Sequence, residues 1–432
     1  MGRPASPAPV PDGVSTPAVM ACSFPSAAVA DTYGMLPSDD RIADPAAPPR
    51  PLPVQRELFD IPDEVAYFDC ASLAPLLRAA VEAGTAATAR RARPWLLGGD
   101  DWFTQAEERR TLFARLAGLD PEGVALVPAT SYGLAVAAAN LDARPGQRVL
   151  VLADDYPSNW YTWQRFAGRT GAEVVAVRRR DGRSWAEAVL AALDERAAVV
   201  AVLATHWTDG GVVDLAAIGA RAREVGAALV VDASQALGAV PLDLTAARPD
   251  FLVTVGYKWL LGPFALGYLY VDERHRDGVP LEENWISRAG SEDFAALVDY
   301  QDRYQPGARR FDVGQRTHFE TTPMAVAALR QLLDWEVPRV AATLGRLTDR
   351  IQGRVEAIGL RLTSSDRVPH MLGIALPDRA RAAAARALTE AGVFVGVRGS
   401  SLRVSPHLWT TDQDVDRLVE ALTMATEGVV AS

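Results

Sequence analysis

The sequence predicts an α/β fold: a mostly parallel, seven-stranded sheet sandwiched by helices, with a smaller C-terminal α+β domain beyond it. Three observations lead there. Between about residues 124 and 271, short runs of Val, Leu and Ala alternate with amphipathic stretches of helical length, the rhythm of β-α units joined by right-handed crossovers. The runs are nearly continuous in apolar residues, as strands buried on both faces must be. After Val271 the rhythm stops, and a long helical pattern over about 323–358 leads into a βαβ-like tail that ends near Thr423.

Taken in order, residues 1–52 are rich in Pro, Ala, Ser and Gly. They are expected to form a disordered leader rather than a signal peptide, because Pro and Ser interrupt the mildly apolar stretch 17–30 and no strong basic segment precedes it. The folded part begins near Glu64 with a strand over 65–69, then helices over about 75–91 and 102–116. Strands are expected at 124–127, 148–152, 173–177, 199–205, 228–232, 251–255 and 266–271. This divides the chain into a large domain over 53–310 and a small C-terminal domain with a connecting helix over 311–432. Strand ends of such a sheet are where chemistry is placed.

Charge and cysteine content remove several functional classes. Over 432 residues, 44 Lys plus Arg stand against 54 Asp plus Glu, a net charge of −10, which argues against a nucleic-acid or anionic-membrane surface. No run approaches the ~18–20 apolar residues of a membrane helix. Cys22 and Cys70 are the two cysteines, too few for a disulfide framework and too isolated for a metal site. A reducing cytoplasm suits this composition.

Two strand ends carry the chemistry. The first is Val230-Val231-Asp232-Ala233-Ser234-Gln235, an apolar run closing on a carboxylate. By itself such an aspartate is a helix cap or turn former. Twenty-six residues on, Thr254-Val255-Gly256-Tyr257-Lys258-Trp259 ends a second apolar run on a lysine with no other charge nearby. A desolvated lysine becomes a nucleophile, and a carboxylate holds a pyridinium proton. Together these are the two groups that pyridoxal 5'-phosphate (PLP) chemistry needs.

From about Tyr67 to Leu422 the chain resembles the class V aminotransferase family of fold-type I PLP enzymes, in its isopenicillin N epimerase-like and kynureninase-like branch, which includes lincosamide-pathway PLP enzymes. The resemblance implies Lys258 as the Schiff-base lysine, Asp232 as partner of the pyridine nitrogen, and Gln235 as a contact of the cofactor's phenolic oxygen. In Pro128-Ala129-Thr130-Ser131-Tyr132-Gly133, small hydroxyl residues open a helix after a strand, so Thr130 and Ser131 are assigned to the phosphate. Tyr257 resembles a further phosphate contact. Asp154-Asp155-Tyr156-Pro157-Ser158-Asn159 resembles the family's aromatic turn, with Tyr156 stacked on the pyridine ring and Asn159 near its oxygen. Arg403, in Leu402-Arg403-Val404-Ser405, resembles the clamp for the substrate α-carboxylate.

Further resemblances are looser. At the end of another strand, His206 or Trp207 is expected to line the substrate pocket, without His206 being a base. The segment Tyr67-Phe68-Asp69-Cys70-Ala71-Ser72-Leu73-Ala74-Pro75 places Ser72 among the substrate contacts, with Asp69 and Ala74 where the family more often has Asn and Gly. Gln315, Arg316 and Thr317 resemble a loop that crosses to the neighbouring subunit's cofactor phosphate, which implies a homodimer with shared active sites. No cysteine follows Cys70, so the persulfide chemistry of cysteine desulfurases is not expected. The implied function is an enzyme working on the amino group and Cα of an amino acid or amino-acid-derived small molecule, in the manner of an aminotransferase. A C–S or C–C β-lyase, an epimerase, an oxidative deaminase and a catalytically silent PLP-binding protein stay open.

Overall fold

The apolar runs become strands whose alternate residues enter two different cores. In the computed structural model, which describes residues 49–180 and 183–426, the strands are β1 (Ala66–Tyr67), β2 (Val124–Val127), β3 (Arg148–Leu152), β4 (Glu173–Val177), β5 (Ala197–Leu203), β6 (Ala228–Asp232), β7 (Phe251–Val255), β8 (Gly267–Val271), β9 (Arg361–Leu362), β10 (Leu372–Ala375), β11 (Val393–Phe394), β12 (Gly396–Arg398) and β13 (Ser401–Val404). A seven-stranded sheet has the order β2-β8-β7-β6-β5-β3-β4. Only β8 runs against its neighbours β7 and β2; the pairs from β7 through to β4 are parallel. Leu150, Val200, Leu229, Val231 and Leu252 face one core, while Val149, Val151, Val199, Val230 and Val253 face the other. A period of two with both faces buried is why these runs show no polar alternation.

Helices α1 (Arg78–Arg91), α2 (Thr104–Ala117), α3 (Thr130–Asn140), α4 (Pro157–Thr170), α5 (Trp185–Ala192), α6 (Leu215–Val225), α7 (Leu244–Ala247), α8 (Thr322–Trp335), α9 (Val337–Ala357), α10 (Arg381–Glu390) and α11 (Asp412–Thr426) fill the connections and the C-terminal part. α3 can press on the sheet because Gly133 has no side chain: a Cβ there would meet Val253 Cγ1 at 2.6 Å. Among the described residues, no helix is long and apolar enough to cross a membrane.

The structure departs from expectation at three places. The helical pattern over 323–358 is two helices, broken at Glu336, whose φ is +61°; Pro338 lies in the first turn of α9, where its missing N–H costs nothing, so it starts a new helix. The βαβ-like tail is not a parallel unit. β10 pairs antiparallel with β13, and Gly399 at φ +58° turns β12 back into β13, giving a four-stranded antiparallel sheet; β11 instead pairs in parallel with β1. Finally, residues 1–48 of the expected leader lie outside the described residues, while the Leu52 N–H donates to Thr343 Oγ1 on α9 at 2.8 Å.

Candidate active site

Strands β2, β3, β5, β6 and β7 point the same way, so the loops that follow them gather at one edge of the sheet. One cleft at that edge is lined by Thr130 and Ser131 after β2, Tyr156 and Ser158 after β3, Trp207 after β5, Asp232, Ser234 and Gln235 at the end of β6, and Tyr257 and Lys258 after β7. Backbone strain collects here. Asp154, Leu261 and Ala265 all hold positive φ without being glycine, each at a cost of about 1–3 kcal/mol that the surrounding packing must offset.

Lys258 is 8% exposed, and its Nζ lies 5.4 Å from the Tyr156 ring centroid and 5.8 Å from that of Tyr257. Burial pulls its pKa down to about 8; the Asp232 carboxylate opposes that shift, while Arg403 and Arg398 add to it. Asp232 is moved the other way. Burial raises its carboxyl, against the Ser234 N–H, which donates to Oδ1 at 2.9 Å, and against the lysine. Desolvation thus outweighs the mutual attraction and shifts both partners toward their neutral forms.

The first turn of α3 opens toward the same cleft, with the Thr130 hydroxyl 2.9 Å from the Ser234 hydroxyl. Backbone N–H groups at a helix start with two hydroxyls beside them suit a phosphate. Gly238, at φ +93°, lets the loop after β6 lie against the one carrying Lys258; a Cβ there would be 2.3 Å from the Trp259 carbonyl oxygen. An anion cradle, a carboxyl, a desolvated lysine and the Tyr156 ring in one cleft fit PLP group by group.

At the cleft's outer corner, the fully buried Arg403 donates from Nη1 to the Trp207 carbonyl (3.0 Å) and from Nη2 to Asp69 Oδ1 (3.1 Å) and Ser72 Oγ (2.7 Å). The structure therefore joins Ser72 and Arg403. Other predicted residues have their polar ends committed elsewhere. Asn159 gives its amide N–H to Asp155 (2.8 Å) and accepts from Trp163 Nε1 (2.8 Å). Gln235 lines the cleft, but its amide donates to the Ala71 carbonyl and accepts from Trp259 Nε1, both at 2.9 Å. His206 is not brought to the cleft: it stacks on Trp185, with ring nitrogens 2.9 Å from Thr208 Oγ1 and 3.1 Å from the Ala153 carbonyl. Its neighbour Trp207 takes that place. Arg316 is buried on Asp312 (2.6 Å), Thr317 donates to the Trp102 carbonyl, and Gln315 is exposed.

Sequence reasoning missed Ser234, Asp155 and Arg398. Ser234 lies inside the Asp232 motif, and its spacing of two from the aspartate, which suits an Asx turn, is the signal that could have found it. Asp155 is buried, which raises its carboxyl to about 7, and it holds both the Tyr156 N–H and Asn159. Arg398 lies outside any motif and reaches the corner only through the β12–β13 turn. Cys70 is fully buried, and burial holds its thiol well above the usual range, so it is a protonated packing group and not a nucleophile.

Comparison with known proteins agrees with this chemistry. The family described as aminotransferase class-V matches residues 81–418. The chain is 27% identical over 336 residues to the uncharacterized aminotransferase YcbU of Bacillus subtilis, covering 77% of this chain and 87% of that protein. It is 29% identical over 344 residues to the isopenicillin N epimerase of Streptomyces clavuligerus, covering 73% and 83%. Among solved structures, a mutant of C-DES with glycine covalently linked to its PLP cofactor superposes with a TM-score of 0.77 at 18% identity, covering 85% of this chain and 98% of that one; that likeness speaks for the fold. The chain belongs to the class V aminotransferase family of PLP-dependent enzymes.

Proposed function

We propose that this cleft holds PLP on Lys258 and acts on the amino group and Cα of an amino acid or amino-acid-derived small molecule, in the manner of an aminotransferase. The observation that carries the reading is the buried Lys258 amine, with its pKa near 8, sharing one cleft with Asp232 and the start of α3. When bound, PLP supplies an electron sink for a bond broken at Cα. In this reading Asp232 holds the proton of the ring nitrogen, and Thr130, Ser131 and Tyr257 hold the phosphate. Tyr156 covers the ring face and excludes water. Lys258 Nζ moves a proton at the substrate Cα, and Arg403 with Ser72 forms the carboxylate end. Gln235 and Asn159 brace the walls through their bonds within the chain. The reading includes a cytoplasmic homodimer, in which the exposed Gln315 reaches the other copy's phosphate.

The test is a visible spectrum of the purified protein before and after addition of L-amino acids. Cofactor absorption that responds to amino acids supports the reading; a colourless protein that PLP cannot reconstitute contradicts it. Two further outcomes are expected. Thr130→Ala and Ser131→Ala each weaken PLP binding about tenfold, the loss of one hydrogen bond to a charged group, read by titrating apo-protein with PLP. The attachment rate of PLP to apo-protein also depends on pH. Only the neutral amine attacks, so the rate should rise about tenfold per pH unit as pH climbs to about 8, then level off. A rise continuing to the ordinary lysine range would show that burial does not tune this amine.

A further inference from the structure

The corner that holds Ser72 carries a charge pattern that Arg403 alone does not explain. Arg403 is paired with Asp69 at 3.1 Å, so it brings little net charge to the site. Its Nε–Nη2 edge, the one suited to two parallel bonds with a carboxylate, is partly committed: Nη2 already donates to Asp69 and Ser72, and Nε is buried without a partner. Arg398, at the end of β12, donates from Nη2 to the same Ser72 Oγ at 2.9 Å and from Nη1 to the Val397 carbonyl at 2.7 Å. Its guanidinium lies 5.6 Å from the ring of Trp207, which lines the cleft. Among the described residues, no carboxylate is within ion-pair distance of Arg398. Its field nevertheless reaches the reacting amine, because it helps to hold the Lys258 pKa down. Two guanidinium groups and one carboxylate leave a single positive charge, and Arg398 is its half-exposed source.

We infer that Arg398 determines substrate specificity: beside Arg403, whose charge Asp69 offsets, its uncompensated charge attracts the substrate's carboxylate to Ser72. The inference rests on the Lys258 cleft being the active site and narrows its substrates to amines that carry one carboxylate at this corner, α-amino acids above all. Amines lacking that group gain nothing from the corner.

The experiment uses the PLP-loaded enzyme, a panel of L-amino acids and the matching decarboxylated amines, with binding read from the cofactor's visible spectrum. The wild type should prefer the amino acids. Arg398→Ala should cut that preference about tenfold to a hundredfold, the worth of a charged hydrogen bond, by weakening amino-acid binding far more than amine binding. Arg398→Lys should keep most of it. Asp69→Asn placed in the Arg398→Ala protein restores one net positive charge and should recover at least part of the preference. A role of Arg398 in shape alone, through Ser72, would not be rescued in this way. The inference is overturned if the wild type shows no preference, if Arg398→Ala leaves it unchanged, or if neither Arg398→Lys nor the Asp69→Asn double variant retains more of it than Arg398→Ala. Loss of the cofactor spectrum from the wild type would overturn the reading of the cleft itself, a distinct result.

Discussion

Lys258→Ala is expected to eliminate covalent PLP attachment and to lower turnover by at least about a thousandfold, the scale of a lost positioned acid–base group compounded by loss of the nucleophile. The fold should survive. The substitution removes a buried amine whose desolvation lowers its pKa to about 8, so it relieves one burial cost while leaving Asp232 without a neighbouring cation. That carboxyl, already raised by burial, should rise further. Equal circular dichroism and thermal midpoint with activity near background is the predicted combination; full activity would remove Lys258 from the chemistry.

Asp232→Asn separates holding the cofactor from using it. The amide keeps an oxygen for the Ser234 N–H, 2.9 Å away in the wild type, so the loop after β6 should keep its shape. It has no negative charge with which to hold a proton on the ring nitrogen, and the electron sink weakens as a result. Turnover should fall about a hundredfold to ten-thousandfold, while PLP stays attached to Lys258 and its affinity changes by less than about tenfold. Steady-state rates together with a PLP titration check this. Comparable turnover at equal cofactor loading would deny Asp232 its role.

Much of the sheet and of its reactive edge is legible in the sequence because the burial that makes a strand also makes its end reactive. The runs ending at Asp232 and Val255 are almost wholly apolar, so their boundaries and the position of Lys258 beyond them can be read directly. A further signal lies in composition: Lys258 is the only lysine in a chain whose other basic side chains are arginine and a few histidines, which singles it out without any motif. Other features are beyond the reach of sequence for a physical reason. The commitment of the Asn159 amide to Asp155 and Trp163, and the turning of His206 onto Trp185, follow from rotamers chosen by local packing. Likewise, Arg398 meets Ser72 across 326 residues, a contact made by the fold of β12 onto the N-terminal segment and invisible to spacing. The break at Glu336 is legible in principle, since Pro338 sits within the helical pattern.

Borohydride reduction of the PLP-loaded protein followed by peptide mapping tests the central claim most directly. With a single lysine in the chain, a reduced pyridoxyl group has one side-chain amine to occupy, the N-terminal amine being its internal control. Stoichiometric label on Lys258, absent from Lys258→Ala, is the predicted result. Label confined to the N-terminus, or no label in a protein that nevertheless turns over amino acids, would contradict it.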